Sequence, residues 1–171
     1  MSFQDFHHEI TASSLDLGGK LNELGLIITT AESCTGGMLA GYITAISGSS
    51  AYYHQGWVTY SNSAKIENLG VSKDNLTQFG AVSEQVAADM AKGALVNSHA
   101  NIAISITGIA GPEGGSLEKP VGTVFFGFAF NKIDTESVLR CDVIKQVFKG
   151  NREDVRLQAC LYAINYILGK I

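Results

Sequence analysis

Leu26-Ile27-Ile28-Thr29-Thr30-Ala31-Glu32-Ser33-Cys34-Thr35-Gly36-Gly37 decides the fold class. Its first six residues are short-range, continuous and β-branched, the pattern of a strand buried on both faces. The run then breaks into a polar, glycine-rich turn. From Gly37 to Ile46 the apolar residues Met38, Leu39, Tyr42, Ile43 and Ile46 recur at helical spacing. Strand, glycine turn and helix in that order open an α/β unit.

The same grammar recurs along the chain. Ile102–Thr107 is a second buried strand that opens into Gly108-Ile109-Ala110-Gly111-Pro112-Glu113-Gly114-Gly115. Gly56–Ser61 reads as a strand feeding Asn62-Ser63-Ala64-Lys65 and a short helix that stops at Gly70. Ser83 is an N-cap for a helix through about His99, with Val86, Ala87, Met90, Ala91, Ala94 and Leu95 on one face. Val121–Phe130 and Ser137–Phe148 predict an antiparallel pair turning near Asn131-Lys132; Leu139, Cys141, Val143 and Val147 share one face of the second strand, and Arg140, Asp142 and Gln146 the other. Asn151–Leu168 is a closing helix with Val155, Ala159, Ala163 and Tyr166 on one stripe. Leu15, Leu17, Leu21 and Leu24 form an amphipathic helix ended by Gly25, behind a polar, flexible start at residues 1–12. The expectation is one domain over residues 13–171: an α/β three-layer sandwich around a mixed, mostly parallel sheet.

Composition narrows the function classes. The 171 residues suit one domain, and 46% hydrophobic with 16% charged residues excludes disorder, the usual charged share being about 25%. The longest apolar runs fall short of the roughly 20 residues of a membrane helix, and Met1–Glu9 has no basic segment followed by an apolar one, so a cytoplasmic protein without membrane contact is expected. A net charge of −4 disfavours an electrostatic nucleic-acid binder. Cys34, Cys141 and Cys160 contain no CxxC pair, and there is no HExxH, so neither a disulfide framework, a metal site nor a bound cofactor is expected. Nineteen glycines stand against two prolines where ordinary usage gives about twelve glycines. The surplus clusters at Gly36-Gly37, Gly108–Gly115 and Gly122/Gly127, as tight turns or as places where backbone approaches a ligand.

Open α/β sheets bind ligands beyond the carboxyl ends of their strands, so the loops Glu32–Gly37 and Thr107–Gly115 should share one crevice. Backbone N–H groups after Gly36-Gly37 would be free there for an anion or oxyanion. Ser33 and Cys34 are two candidate nucleophiles. His7, His8, His54 and His99 lie in the polar start, away from the loops or at a helix end, and give a triad poor support. Lys65, just after the strand end Tyr60-Ser61-Asn62, is the alternative base, provided burial or positive charge lowers its pKa; by composition alone it reads as a solvated helix lysine. Arg152 and Arg156 share one face of the last helix, either to hold a phosphate or to pair with Glu153 and Asp154.

Thr30–Gly37, Gly48-Ser49-Ser50, Val58-Thr59-Tyr60-Ser61-Asn62 with Lys65, Gly80–Ser83, Thr107–Pro112 with Gly114-Gly115, Lys119–Thr123, and Arg152 with Arg156 closely resemble the CinA C-terminal domain family, in the family's order and over about Leu15 to Leu168. The family's characterised activity is deamidation of nicotinamide mononucleotide. The resemblance implies hydrolysis of that carboxamide to nicotinate mononucleotide and ammonia, in pyridine-nucleotide recycling, by a stand-alone unit without the additional N-terminal domain of full-length members. It implies Ser33 as nucleophile, Lys65 as base and Tyr60 as a proton-relay partner, with Thr35, Gly36, Gly37, Ser61, Asn62, Thr107, Gly108, Gly111 and Arg152 around a small-molecule nucleotide. The positively charged pyridinium ring would help depress the Lys65 pKa. A catalytically silent nucleotide-binding or regulatory paralogue is the competing reading, and Cys34 the competing nucleophile. The low-charge, apolar chain fits a homo-oligomer. Where the family often has Asp, this chain has Asn151, which still suits a helix cap.

Overall fold

The computed structural model describes residues 3–131 and 139–171. Lys132 of the expected turn, with Ser137 and Val138 of the expected strand, lies outside them. In chain order the elements are α1 (Phe3–Leu24), β1 (Ile28–Glu32), α2 (Met38–Thr44), a 3-10 turn (Ser49–Ala51), β2 (Tyr53–Val58), α3 (Asn62–Leu69), α4 (Lys73–Phe79), α5 (Glu84–Ser98), β3 (Ile102–Gly108), β4 (Thr123–Phe130), β5 (Arg140–Val147) and α6 (Arg152–Leu168). The strands form one sheet in the order β2-β1-β3-β4-β5. β2, β1 and β3 run parallel; β4 and β5 are antiparallel additions.

Alternation along the central strands sorts large from small side chains. Ile102, Ile104, Ile106, Phe126 and Phe128 enter one apolar cluster with Ile10, Leu17, Leu21, Leu39, Val155 and Ile164 from α1, α2 and α6. Ala31, Ala103 and Ala129 enter the other with Val86, Met90 and Ala94 of α5 and Leu69 of α3. Helices therefore cover both faces, giving the three-layer mixed α/β sandwich. The small residues let α5 lie close: a Cβ at Gly127 would come within 2.4 Å of the Ala87 carbonyl oxygen. Ser105 Oγ fills that contact by donating to Ala87 O at 2.6 Å and accepting from Gly127 N at 3.1 Å.

Local expectations are corrected at several points. Residues 3–12, expected within a flexible start, are helical: α1 begins at Phe3 and Ile10 is fully buried with Ser14, Leu17 and Leu21, so the boundary at residue 12 falls inside a helix. Leu15 and Leu24, expected on its apolar face, are more than half exposed. Gly18 sits mid-helix because a Cβ there would lie 2.5 Å from the Tyr52 hydroxyl. β2 begins at Tyr53, set by pairing with Ile28 of β1, and ends at Val58, so Tyr60-Ser61 is the turn into α3, which starts at Asn62, and not a strand end. α4 is an additional short helix capped by Ser72. On the edge strand β5, Ile144 packs towards the α6 side and Cys141 towards the α5 side, while Val147 is exposed.

Candidate active site

β1 and β3 lie side by side, with Glu32 level with Ile106, and the Ser33 N–H continues the ladder by donating to Ile106 O at 2.9 Å. The chain ends after β1 and β3 thus open into one crevice. β2 arrives on the other flank, where Thr59 N donates to Glu32 O at 2.9 Å. The turn that follows gives α3 its N-cap, Ser61, whose hydroxyl accepts from Ala64 N. One helical turn later Lys65 points back under this turn: it is 1% exposed, and its Nζ donates to Thr59 O at 2.7 Å and to Ser33 Oγ at 2.9 Å. Burial holds the Lys65 ammonium below the usual lysine range, with Cys34 pulling weakly the other way.

A cleft of about 290 Å³ covers this pair, walled by Ser33, Cys34, Tyr60, Lys65, Thr107, Gly108, Gly111, Glu113 and Arg152 among others. Arg152, from the first turn of α6, bridges its rim: Nη1 donates to Gly111 O and Nη2 to the Tyr60 hydroxyl, each at 2.9 Å. Tyr60 is 62% exposed, and its hydroxyl is tied to Arg152. Thr107 is buried and donates to Ala81 O at 2.8 Å, fixing the segment before α5 against the end of β3. A Cβ at Gly108 would lie 2.7 Å from Thr123 O, so that position demands glycine for backbone packing.

The crevice therefore gathers Ser33, Lys65, Tyr60, Thr107, Gly108, Gly111 and Arg152. It does not gather Thr35, Gly36, Gly37, Ser61 or Asn62. Thr35 is fully buried beneath the loop, where its carbonyl accepts from Arg156 Nη2 at 2.7 Å. Ser61 and Asn62 are exposed at the start of α3. The N–H groups expected to be free after Gly36-Gly37 are already bonded. Gly36 N donates to Ser33 O, Gly37 N and Leu39 N to Glu32 Oε2, and Ala40 N to Glu32 Oε1. Glu32, fully buried, is the residue the sequence reading left without a role. An acid placed at the positive end of a following helix was the available signal, since carboxylates satisfy orphan N–H groups there.

Cys34 is 7% exposed. Burial pushes its thiol up to about 11, with its own backbone N–H opposing, so it is protonated at neutral pH. His7, His8, His54 and His99 are exposed and none lines the cleft. Arg152 and Arg156 are not paired with Glu153 or Asp154; Asp154 instead accepts from Asn151 N in a capping box at the head of α6. Among the described residues, no three His, Cys, Asp or Glu side chains gather as for a metal ion, and no helix is long and apolar enough to cross a membrane. The cleft thus holds a hydroxyl in contact with a desolvated amine beyond the carboxyl ends of the parallel strands, an arrangement that suits a nucleophile and a base.

Comparison with known proteins places the chain among its relatives. The chain is 52% identical over 161 residues to the nicotinamide-nucleotide amidohydrolase PncC of Enterobacter agglomerans, covering 94% of this chain and 93% of that one. It is 50% identical over 156 residues to the protein of the same name from Escherichia coli K12, covering 91% of each. A longer CinA-like protein of Geotalea daltonii matches at 48% over 88% of this chain but only 35% of its own length. Among solved structures, a competence/damage inducible protein from Agrobacterium tumefaciens superposes with a TM-score of 0.85 at 42% identity, over 94% of both chains. A CinA superfamily protein from Escherichia coli superposes with 0.87 at 37% identity, over 95% of this chain and 90% of that one. Residues 11–171 match the model of the CinA C-terminal domain, and the chain belongs to that family.

Proposed function

We propose that this protein hydrolyses the carboxamide of nicotinamide mononucleotide to nicotinate mononucleotide and ammonia. The observation that carries the reading is the 2.9 Å contact between Ser33 Oγ and the buried Lys65 Nζ, in a chain about half identical to two proteins named nicotinamide-nucleotide amidohydrolase. With its amine neutral, Lys65 accepts the Ser33 proton as Oγ attacks the amide carbon. The Gly108 N–H at the end of β3 holds the oxyanion, since the N–H groups of the Gly36-Gly37 turn are bonded to the protein itself and that of Thr107 belongs to the β3–β4 ladder. The tetrahedral intermediate collapses as the Lys65 ammonium returns its proton to the leaving nitrogen, which departs as ammonia. Water then enters, gives a proton to Lys65 and attacks the acyl carbon, and Lys65 protonates Ser33 Oγ as the carboxylate leaves. Binding of a positively charged pyridinium beside Lys65 lowers its proton affinity further. Within this reading the chain acts in the cytoplasm as a homo-oligomer on a small-molecule nucleotide, with no bound cofactor.

Ammonia release from nicotinamide mononucleotide by wild type and by Ser33→Ala tests it. Turnover in the wild type and its loss in the variant are expected. Full activity in Ser33→Ala overturns the mechanism, and binding without product in the wild type overturns the function.

A further inference from the structure

A second cavity, of about 670 Å³, adjoins the catalytic cleft; the two share Ala110 and Arg152 as walls. Pro112, Val121, Glu153 and Arg156 complete much of its lining. Under the proposed function, a substrate that presents its carboxamide to Ser33 must also place a phosphate, and a phosphate needs donors that the protein leaves free. The head of α6 does not offer them: Asn151 Oδ1 accepts from Glu153 N and Asp154 N, and Asp154 accepts from Asn151 N. Arg152 has a nitrogen on each of two protein acceptors, Gly111 O and the Tyr60 hydroxyl.

Arg156 differs. Only its Nη2 is held, by Thr35 O at 2.7 Å, and its Nε is buried with no partner. The Thr35 contact holds the guanidinium from α6 against the loop that carries Ser33, while Arg156 lines the second cavity. Two arginines against Glu153 leave the cavity lining with a net positive charge. We infer that Arg156, and not Arg152, is the phosphate anchor of the substrate, with Arg152 as the strut between the two cavities.

The inference rests on the amidohydrolase reading but has its own readout. Calorimetric titration of Ser33→Ala, which leaves substrate unreacted, is compared with Ser33→Ala carrying Arg156→Gln or Arg156→Lys. The ligands are nicotinamide mononucleotide and the corresponding nucleoside without phosphate. Arg156→Gln is expected to weaken the mononucleotide roughly ten- to hundredfold, the range for losing a charge-assisted hydrogen bond, and to leave the nucleoside within about twofold. Arg156→Lys, which keeps the charge and guards against a folding defect, is expected to recover part of the loss. Equal losses for both ligands, or an undiminished mononucleotide, would overturn the assignment. Failure of the amidohydrolase reading shows elsewhere, as absence of ammonia from the wild type.

Discussion

Lys65 reaches Ser33 from a helix that begins three residues after Thr59, and the Thr59 carbonyl, 2.7 Å from Nζ, orients the amine towards the hydroxyl 2.9 Å away. Desolvation is the main reason its proton affinity is low. Burial thus lowers the proton affinity of this amine before any substrate binds.

The pH dependence follows with a definite sign. Only the neutral amine accepts the Ser33 proton, so kcat/KM should rise with pH through an ionisation below the ordinary lysine value of 10.5. Lys65→Met, similar in shape, should lose about 100-fold or more, the usual contribution of a positioned base. Stability shifts in the same direction. Between the lowered folded value and 10.5 the unfolded chain holds more protons at this position than the folded one, so stability rises with pH. Denaturation midpoints across that window should climb for wild type relative to Lys65→Met; parallel profiles would show that the fold does not depress the amine.

Cys34 should be chemically quiet despite lying beside Ser33. With its thiol raised to about 11, less than a thousandth is thiolate at neutral pH. Cys34→Ala should keep kcat within about threefold, the cost being a small packing loss, and iodoacetamide should label Cys34 in the folded protein far more slowly than in denaturant. Rapid labelling with matching inactivation would move the nucleophile to Cys34.

Much of this was legible in local pattern, and the exceptions share a physical cause. α5 was readable from Ser83 to its six buried residues because cap and periodicity agree within the segment itself. The ends of β1 and β3 were readable because a β-branched run gives way to a polar, glycine-rich turn. The start of α1 was not, since Ile10 is buried by packing between α1 and α6, distant in sequence. Nor did composition favour Lys65, whose side chain is enclosed where Thr59 O and Ser33 Oγ meet its Nζ; chain position offered it as an alternative base, and the family resemblance singled it out. Glu32 was missed because its three N–H partners are the same groups that the glycine turn suggested for an oxyanion, and counting donors needs the folded loop.

Glu32 should therefore be tested as the brace of the nucleophile turn. Glu32→Gln keeps the shape but turns an NH2 group towards at least one of the three donors, at a cost of about 1–3 kcal/mol for an unsatisfied buried group. For a chain of this size that is a fall in Tm of roughly 2–10 °C. Glu32→Ala should cost more, by orphaning Gly37, Leu39 and Ala40 together. Because the turn carries Ser33, kcat should drop at temperatures where both variants remain folded. Wild-type Tm in Glu32→Gln would show that the carboxylate is dispensable.

Tyr60 and Arg152 offer a sharper distinction, between a proton relay and a strut. The structure ties the Tyr60 hydroxyl to Arg152 Nη2, and the same guanidinium holds Gly111 O across the cleft. If the hydroxyl matters by supporting Arg152, Tyr60→Phe should lower kcat/KM only about two- to fivefold, as expected for one exposed hydrogen bond. Arg152→Ala, which releases both sides of the rim, should lower it about tenfold or more. The double variant should then be no worse than Arg152→Ala alone, because the second change removes a contact already lost. A double-mutant cycle in kcat/KM checks this. Additive losses, with the Tyr60→Phe effect confined to kcat, would instead place Tyr60 in the proton path between Lys65 and the leaving nitrogen.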